Sequence, residues 1–352
     1  MSYRFQSVSN SNLTLPLFFS STIFHPSHFS SRAWRCGDTF SLNARTQMEE
    51  HDFSKVTVTA DPQSLENKIS AIRSAGPSKL QVIADFDATL TRYWINGSRG
   101  QSSHGLLKQG NPEYDAKRHA LFEYYHPLEF SPHIPIEEKT KLMEEWWGKT
   151  HALLVEGGLT YDAIKTSVAN ASIAFREGVV ELFEFLEERD IPVLVFSAGL
   201  ADIIEEVLRQ KVHKSFKNFK IVSNRMIFNE DGCLVSFRGK IIHTLNKNEH
   251  ALDMAAPLHD HLGETNGPID DNSSVKTRTN VLLLGDHIGD LGMSNGLNYD
   301  IRISVGFLND NIENNLDSYS KAFDIVYLAT HFFLQNDAPM SGVVKLASQL
   351  CS

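Results

Sequence analysis

The chain has 352 residues, of which 41% are hydrophobic and 22% are charged, and its formal net charge at pH 7 is −10. Its length fits two domains or one core with a large insertion, and its three scattered cysteines form neither a zinc motif nor a disulfide framework. The negative charge argues against a nucleic acid polymer or an anionic membrane as partner, and no apolar run approaches the length of a membrane span.

The first 48 residues differ from the rest of the chain. Residues 1–37 contain no Asp or Glu, are rich in Ser, and carry Arg4, Arg32 and Arg35. This bias resembles an organellar transit peptide, but a disordered leader before a start at Met48 is an equally good interpretation. We therefore exclude residues 1–48 from the fold. We expect a cytoplasmic protein, with a plastid or mitochondrion as the alternative.

Short apolar segments alternate with helical patterns along the rest of the chain, which is typical of buried strands in a parallel sheet. This alternation predicts an α/β fold with a doubly wound, Rossmann-like parallel sheet, in which ligands bind beyond the carboxyl ends of the strands. The predicted strands are Leu80–Asp85, Ile191–Phe196, Val281–Leu284, Ile301–Val305 and Phe323–Tyr327, and the clearest core helices are Val179–Arg189 and Ala201–Gln210.

About 100 mostly helical residues separate the first two strands, which is too long for a simple crossover. We therefore predict a core made of residues 65–95 and 178–352, with residues 96–177 inserted as a helical cap domain. The clearest cap helix begins near Pro135, runs to about Val155 and is stopped by Gly157 and Gly158.

A smaller β-hairpin insertion is predicted after the second core unit. Its strands are Phe219–Phe228, Cys233–Phe237 and Ile241–Thr244, with a turn at 230–232. Residues 262–279 are predicted to form a surface loop.

Two carboxylates, Asp85 and Asp87, directly follow the first buried strand. Like charges at the rim of a core repel each other and lose hydration, so a cation or a chemical task is the usual compensation. Strand alternation points both side chains roughly the same way. Hard oxygen ligands of this kind suit Mg²⁺, and a carboxylate is also a competent nucleophile for phosphoryl transfer.

Two later segments repeat the pattern of a strand that ends in polar residues, and a segment with a candidate lysine lies between them. Ser197 follows the second strand just before a helix, which predicts an anion site, although a simple helix cap is the alternative. Asp286 and Asp290 follow the Val281–Leu284 strand, so Asp286 can complete an oxygen cage with Asp85, and Asp290 can bind the metal through water or orient a lysine. Lys247 is the candidate lysine, with Lys240 as its rival.

In this order, the four segments resemble the motifs of the haloacid dehalogenase-like phosphatases. Further segments across residues 65–350 narrow the resemblance to the cytosolic 5′-nucleotidase III family, which comprises the pyrimidine and 7-methylguanosine-phosphate 5′-nucleotidases. The leader and the 262–279 loop depart from that family. The segments that carry the narrower resemblance are Tyr124–Glu129, Glu145–Leu154, Phe196–Gly199, Leu245–Lys247 and Gly285–Leu291.

The resemblance implies a role for each candidate residue. Asp85 is the nucleophile that becomes phosphoaspartyl, and Asp87 protonates the leaving oxygen and then activates water. Asp85, the backbone carbonyl of Asp87, and Asp286 hold Mg²⁺. The phosphate is held by Ser197, Ala198 and Lys247.

The cap is expected to recognise the nucleoside. By resemblance, Glu129 and Thr150 match positions that contact the base and the sugar. Trp147 can stack on a base, whereas Trp146 is expected in the cap core. The predicted function is therefore a Mg²⁺-dependent 5′-nucleotidase for CMP, UMP or 7-methyl-GMP, acting as a monomer. The alternatives are a phosphatase of another small ester, such as phosphoserine, and a catalytically silent nucleotide-binding protein.

Overall fold

The computed structural model describes residues 57–129, 131, 133–248, 256–257, 277–329 and 337–352. The predicted leader and residues 262–276 of the predicted loop lie outside these ranges. Within them, no helix has both the length and the apolar character that crossing a membrane requires.

Nine strands of the described residues form one sheet, in the order β1-β11-β10-β9-β2-β5-β6-β7, with β8 paired to β6. A separate two-stranded ribbon is formed by β3 and β4. The strands are β1 (Thr57–Val58), β2 (Leu80–Ala84), β3 (Trp94–Ile95), β4 (Ser98–Arg99), β5 (Val193–Leu200), β6 (Phe219–Phe228), β7 (Leu234–Arg238), β8 (Ala256–Pro257), β9 (Asn280–Gly285), β10 (Ile301–Leu308) and β11 (Ile325–Leu328).

Helices connect most of these strands. They are α1 (Pro62–Ala75), α2 (Pro112–Glu129), α3 (Ile136–Glu156), α4 (Tyr161–Asn170), α5 (Val179–Glu187), α6 (Ala201–Val212), α7 (Ile312–Ala322) and α8 (Ser341–Leu350). Two short helical turns come soon after strands: Phe86–Leu90 follows β2, and Ile288–Ser294 follows β9.

The sheet is buried on both faces. Along β2, Val82 and Ala84 belong to one apolar cluster, together with residues of α1, α5, α6 and α8. Ile83, which lies between them, belongs to a second cluster with residues of α7. Because successive strand residues point to opposite faces, these clusters lie on the two sides of the sheet. The predicted doubly wound α/β fold is thus confirmed, and each of the five predicted core strands is present.

The strand Phe219–Phe228 has the predicted bounds, but its expected place in a separate insertion is wrong. Its first half pairs in parallel with β5, from Phe219 to Val222, and therefore extends the main sheet. Its second half, Arg225 to Phe228, pairs with β7 in antiparallel fashion and forms the predicted hairpin. One long strand thus serves both the core and the hairpin.

The predicted strand Ile241–Thr244 is wrong, since these residues form no strand. Two asparagine side chains take the backbone bonds that a neighbouring strand would make. Asn224 Oδ1 accepts from Ile242 N at 2.9 Å, and its Nδ2 donates to Ile242 O at 2.7 Å. Asn246 likewise accepts from His243 N at 2.7 Å. Buried backbone groups need partners, and here amide side chains supply them.

The segment between β2 and β5 is mainly helical, as predicted. The predicted helix from Pro135 to Val155 is α3, which begins at Ile136 after Pro135 and ends at Glu156 before Gly157. Its apolar face packs on α2 through Tyr125, Met143 and Trp146, which form a cluster of their own. The boundaries 96–177 of a cap domain stay a prediction.

Candidate active site

The candidate site lies at the carboxyl ends of β2 and β9. These strands are parallel neighbours, with Ala84 opposite Leu284. Asp85 follows β2, and its backbone N–H donates to Leu284 O at 3.0 Å. Asp286 follows β9 directly. Adjacent parallel strands end at the same edge, so the topology brings together two carboxylates that are 201 positions apart in the sequence.

Lys247 joins two carboxylates of the site. Its Nζ donates to Asp85 Oδ1 at 2.5 Å and to Asp290 Oδ1 at 2.7 Å. The side chains of all three residues are at most 10% exposed. The rival Lys240 is exposed. The structure thus brings Lys247 to Asp85, as the order of the motifs predicts.

Asp85, Asp286 and Asp290 form a compact carboxylate cluster, with one oxygen of each lying within 4.8 Å of the others. Both oxygens of Asp290 accept hydrogen bonds: Oδ1 from Lys247, and Oδ2 from the backbone N–H groups of Asp286 and His287, at 3.2 and 3.0 Å. Gly285 packs directly against this carboxylate. Any side chain at position 285 would clash with it, because a Cβ there would lie 2.7 Å from Asp290 Oδ2. Asp290 is therefore suited to orient Lys247, while Asp85 and Asp286 are better placed to offer oxygens to a cation.

The charge of this cluster fits a divalent cation. Burial raises the pKa of Asp85 well above its usual value, and neighbouring Asp290 and Asp286 raise it further, although Lys247 opposes them. Burial and Asp290 raise the pKa of Asp286 to about 7. Two buried carboxylates and the partly buried Asp286 lie close together, and Lys247 and Arg176 offset their negative charge only in part. Carboxylate oxygens in this number suit a hard cation such as Mg²⁺.

The carboxylate of Asp87 is held by Ser103, a residue that the sequence did not indicate. β2 ends at Ala84 and the chain turns at Phe86–Leu90, so Asp85 and Asp87 lie beyond the strand, and their shared orientation stays a prediction. The Asp87 carboxylate accepts from Ser103 N and Ser103 Oγ, both at 2.6 Å. Burial raises the pKa of Asp87, and the two bonds from Ser103 lower it. Ser103 lies 16 residues further along the chain, with no motif to mark it.

The turn that carries Asp87 is fixed by a second unpredicted residue. Ala88 has a φ of 60°, which an L side chain rarely adopts. The fully buried guanidinium of Arg176 donates to Thr89 O at 2.9 Å, to Ala88 O and to Asn309 Oδ1. The side chain of Asn309 also donates to Ala88 O, at 3.0 Å. These bonds hold the strained backbone at Ala88 in place, directly after Asp87.

The predicted phosphate-binding segment lies at the end of β5. Ser197 is 2% exposed, and its Oγ accepts from Gly199 N at 3.0 Å. Trp147 of α3 donates its indole N–H to Ala198 O at 2.8 Å, which ties this helix to the segment. The structure thus brings Trp147 to the predicted phosphate site. Its role in base stacking stays a prediction.

Glu129 and Thr150 lie on the two helices next to this site. Glu129 ends α2, and burial raises its pKa, whereas nearby Thr244, His287 and Lys139 lower it. Thr244 and His287 belong to the segments that carry Lys247 and Asp286, so Glu129 lies near the carboxylate cluster. Thr150 is 3% exposed on α3, one turn after Trp147. Contact with a nucleoside stays a prediction for both residues.

Comparison with known proteins identifies the family. The family model described as "Pyrimidine 5′-nucleotidase (UMPH-1)" matches residues 88–351. The chain belongs to this family. It is therefore a 5′-nucleotidase, a phosphoric monoester hydrolase, on a haloacid dehalogenase-like fold. The resemblance inferred from the motifs is confirmed.

Similar proteins cover most of the chain. A 7-methylguanosine phosphate-specific 5′-nucleotidase of Homo sapiens is 38% identical over 270 residues, which are 75% of this chain and 85% of that protein. 7-Methylguanosine phosphate-specific 5′-nucleotidase A of Xenopus laevis is 38% identical over 272 residues, or 76% and 89% of the two chains. The crystal structure of cytosolic 5′-nucleotidase IIIB bound to cytidine has a TM-score of 0.68 at 30% identity and covers 84% of this chain and 93% of that one.

Proposed function

We propose that this 5′-nucleotidase hydrolyses CMP, UMP or 7-methyl-GMP to the nucleoside and phosphate through a phosphoaspartyl intermediate on Asp85. The observation that carries the proposal is the ion pair between Lys247 and Asp85 beside Asp286, at the carboxyl ends of two parallel strands. Charged groups placed around a transferring phosphoryl group account for most catalysis of this kind. The pyrimidine family and relatives named for 7-methylguanosine phosphate support the choice of substrates.

In the proposed reaction, an Asp85 oxygen attacks phosphorus while the bond to the 5′ oxygen breaks, and Asp87 gives its proton to that oxygen. Asp87 then takes a proton from water, and the resulting hydroxide cleaves the phosphoaspartate, which restores Asp85 and releases phosphate. Lys247, the Ser197 hydroxyl and the backbone of Ala198 would hold the phosphate oxygens. Lys247 stays charged at Asp85, so it can offset charge on the transferring group.

Asp85, Asp286 and the backbone carbonyl of Asp87 would hold Mg²⁺, with Asp290 as support. When bound, the ion supplies charge stabilisation to the phosphoryl group. The negative charge of the clustered carboxylates favours a bound cation. Under this proposal, activity therefore depends on Mg²⁺. We expect a chelator to abolish turnover, and added Mg²⁺ to restore it.

Base recognition is proposed for Trp147, Glu129 and Thr150. A half-buried indole offers a stacking face worth about 1–3 kcal/mol per base. Glu129 on α2 lies near Thr244 and His287. It can accept hydrogen bonds from an exocyclic amino group, or balance the positive charge of 7-methylguanine. The compartment also stays a proposal: cytoplasmic, or an organelle if the leader acts as a transit peptide.

The test is kcat/KM for CMP, UMP, 7-methyl-GMP, AMP and phosphoserine, measured with Mg²⁺ and with chelator. We expect a preference for the first three esters. Asp85→Asn should abolish turnover and leave the fold intact, because an amide cannot act as the nucleophile. The exposed hairpin variant Asp231→Asn is the matched control and should keep full activity. Equal rates for phosphoserine and the nucleotides, or turnover by Asp85→Asn, would refute the proposal.

A further inference from the structure

Ser103 belongs to the predicted cap segment, but it holds a carboxylate of the core. Its backbone N–H donates to Asp87 Oδ1, and its hydroxyl donates to Asp87 Oδ2, each at 2.6 Å. Both oxygens of Asp87 are thus held by one residue. Ser103 itself is fully buried, at 0% exposure. A carboxylate held at both oxygens by a buried residue has essentially one orientation.

The Ser103 hydroxyl also lies against the predicted phosphate-binding segment. A Cβ at position 199 would lie 2.3 Å from Ser103 Oγ and 3.2 Å from Ser197 Oγ. Because Gly199 has no side chain, the Ser103 hydroxyl can lie against the backbone at this position. The hydroxyl lies between the Asp87 carboxylate, to which it donates, and the Ser197–Gly199 segment.

We infer that Ser103 is a positioning residue for proton transfer by Asp87, an inference that rests on the proposed function. In the first step the proton of Asp87 goes to the 5′ oxygen as the bond from that oxygen to phosphorus breaks. In the second step Asp87 takes a proton from water. Ser103 N–H holds Oδ1 through both steps. The hydroxyl can rotate, so it donates to Oδ2 when Asp87 is ionised and accepts when Oδ2 carries the proton.

Proton transfer requires the acid to lie within hydrogen-bond reach of the oxygen that it protonates. A displacement of about 1 Å near reacting groups costs on the order of 10²-fold in rate. Loss of the Ser103 hydroxyl frees one Asp87 oxygen but keeps the backbone N–H bond, so we expect a partial loss. That loss should be confined to esters whose leaving group needs a proton.

The test compares leaving groups in Ser103→Ala. A nucleoside leaves as a poorly stabilised alkoxide and needs the proton, whereas 4-nitrophenolate leaves without one. We expect kcat/KM for CMP and 7-methyl-GMP to fall by about 10- to 100-fold, and that for 4-nitrophenyl phosphate by less than about 3-fold. Ser102→Ala is the matched control. Its exposed hydroxyl accepts from Gly105 N and does not contact Asp87, so both rates should be unchanged.

Equal losses for both kinds of ester, or no loss with the nucleotides, would overturn this role of Ser103, because a merely structural contact affects all substrates alike. Ser103→Cys keeps a weak donor of similar size and should fall between wild type and Ser103→Ala. If Ser103→Ala does not fold, the same comparison of esters in Ser103→Cys tests the role of Ser103. A wild-type enzyme that cleaves 4-nitrophenyl phosphate but no nucleotide would instead refute the proposed function, and this inference with it.

Discussion

Lys247 is a buried cation whose charge is fixed by its neighbours. Burial alone would lower its pKa, but Asp290 and Asp85 outweigh that effect and raise it above the usual value for lysine. The lysine therefore remains protonated at neutral pH. It supplies a permanent positive charge to the carboxylate that we propose as the nucleophile.

We expect Lys247→Met to lose both stability and activity. Removing one partner of a buried ion pair leaves uncompensated carboxylates, at a cost of about 3–5 kcal/mol in the free energy of unfolding. We expect kcat with CMP to fall by at least about 10²-fold, since a charge near the transferring group is lost. Urea unfolding without Mg²⁺ and steady-state kinetics with Mg²⁺ measure the two effects.

Lys240→Met is the matched control, because Lys240 is the exposed lysine seven positions earlier in the same stretch of chain. It should change neither quantity measurably. If Lys240→Met impaired turnover and Lys247→Met did not, the assignment of the phosphate-binding lysine would be wrong.

At the scale of elements, the turn Phe86–Leu90 depends on a distant residue. Arg176 lies 88 residues after Ala88 in the sequence, and its guanidinium also donates to Ala338 O at 2.9 Å. It thus connects the turn to the segment before α8. Burial lowers the pKa of Arg176 to about 10, but the group remains charged at neutral pH.

Arg176→Lys should loosen the turn while keeping the positive charge. A lysine has three donors on one atom and cannot reproduce the planar fork of arginine, so buried carbonyls lose their partners. We expect the free energy of unfolding to fall by about 2–4 kcal/mol and kcat with CMP to fall more than KM changes. Urea unfolding and steady-state kinetics test this.

The control is Arg189→Lys, because the Arg189 side chain is 38% exposed and far from the turn in sequence. It should have little effect on either quantity. A kcat for Arg176→Lys equal to that of wild type would show that the turn does not need the guanidinium.

The sequence predicted elements whose signal is local. Five apolar strands, the helix after Pro135 and the hairpin turn at 230–232 follow from periodicity and from Gly and Pro. The order of the strands then brings Asp85 and Asp286 together. Ser103 and Arg176 could not be predicted, because their partners are fixed only when distant segments pack. Ile241–Thr244 failed for a related reason: asparagine side chains replaced the strand partner that its apolar pattern suggested.

At the scale of the whole molecule, two buried histidines couple stability to pH. His151 stacks on Phe237, with ring centroids 3.9 Å apart, and is 6% exposed. Burial lowers the pKa of His151 to about 4 and that of His243 to about 4. The folded protein therefore keeps both rings neutral at a pH where the unfolded chain protonates them.

The sign of this coupling follows from proton binding. Above the usual histidine pKa of 6.5, His151 is unprotonated in both the folded and the unfolded protein, so it has no pH-dependent effect on stability. Between pH 6.5 and about 4 only the unfolded chain binds it, and stability falls as the pH falls. At about pH 5 this amounts to roughly 2 kcal/mol for each such histidine.

His151→Phe and His151→Gln test the coupling, because both remove the titrating group but differ in apolar area. Urea unfolding at about pH 7.5 and pH 5 should show that each variant loses about 2 kcal/mol less stability than wild type over this interval. The difference from wild type isolates His151, since the other titrating groups are common to all three proteins. Their absolute stabilities should differ, because glutamine cannot stack on Phe237 as phenylalanine does. A pH dependence identical to that of wild type in both variants would mean that His151 is protonated in the folded state, and thus that its ring is not sealed from water.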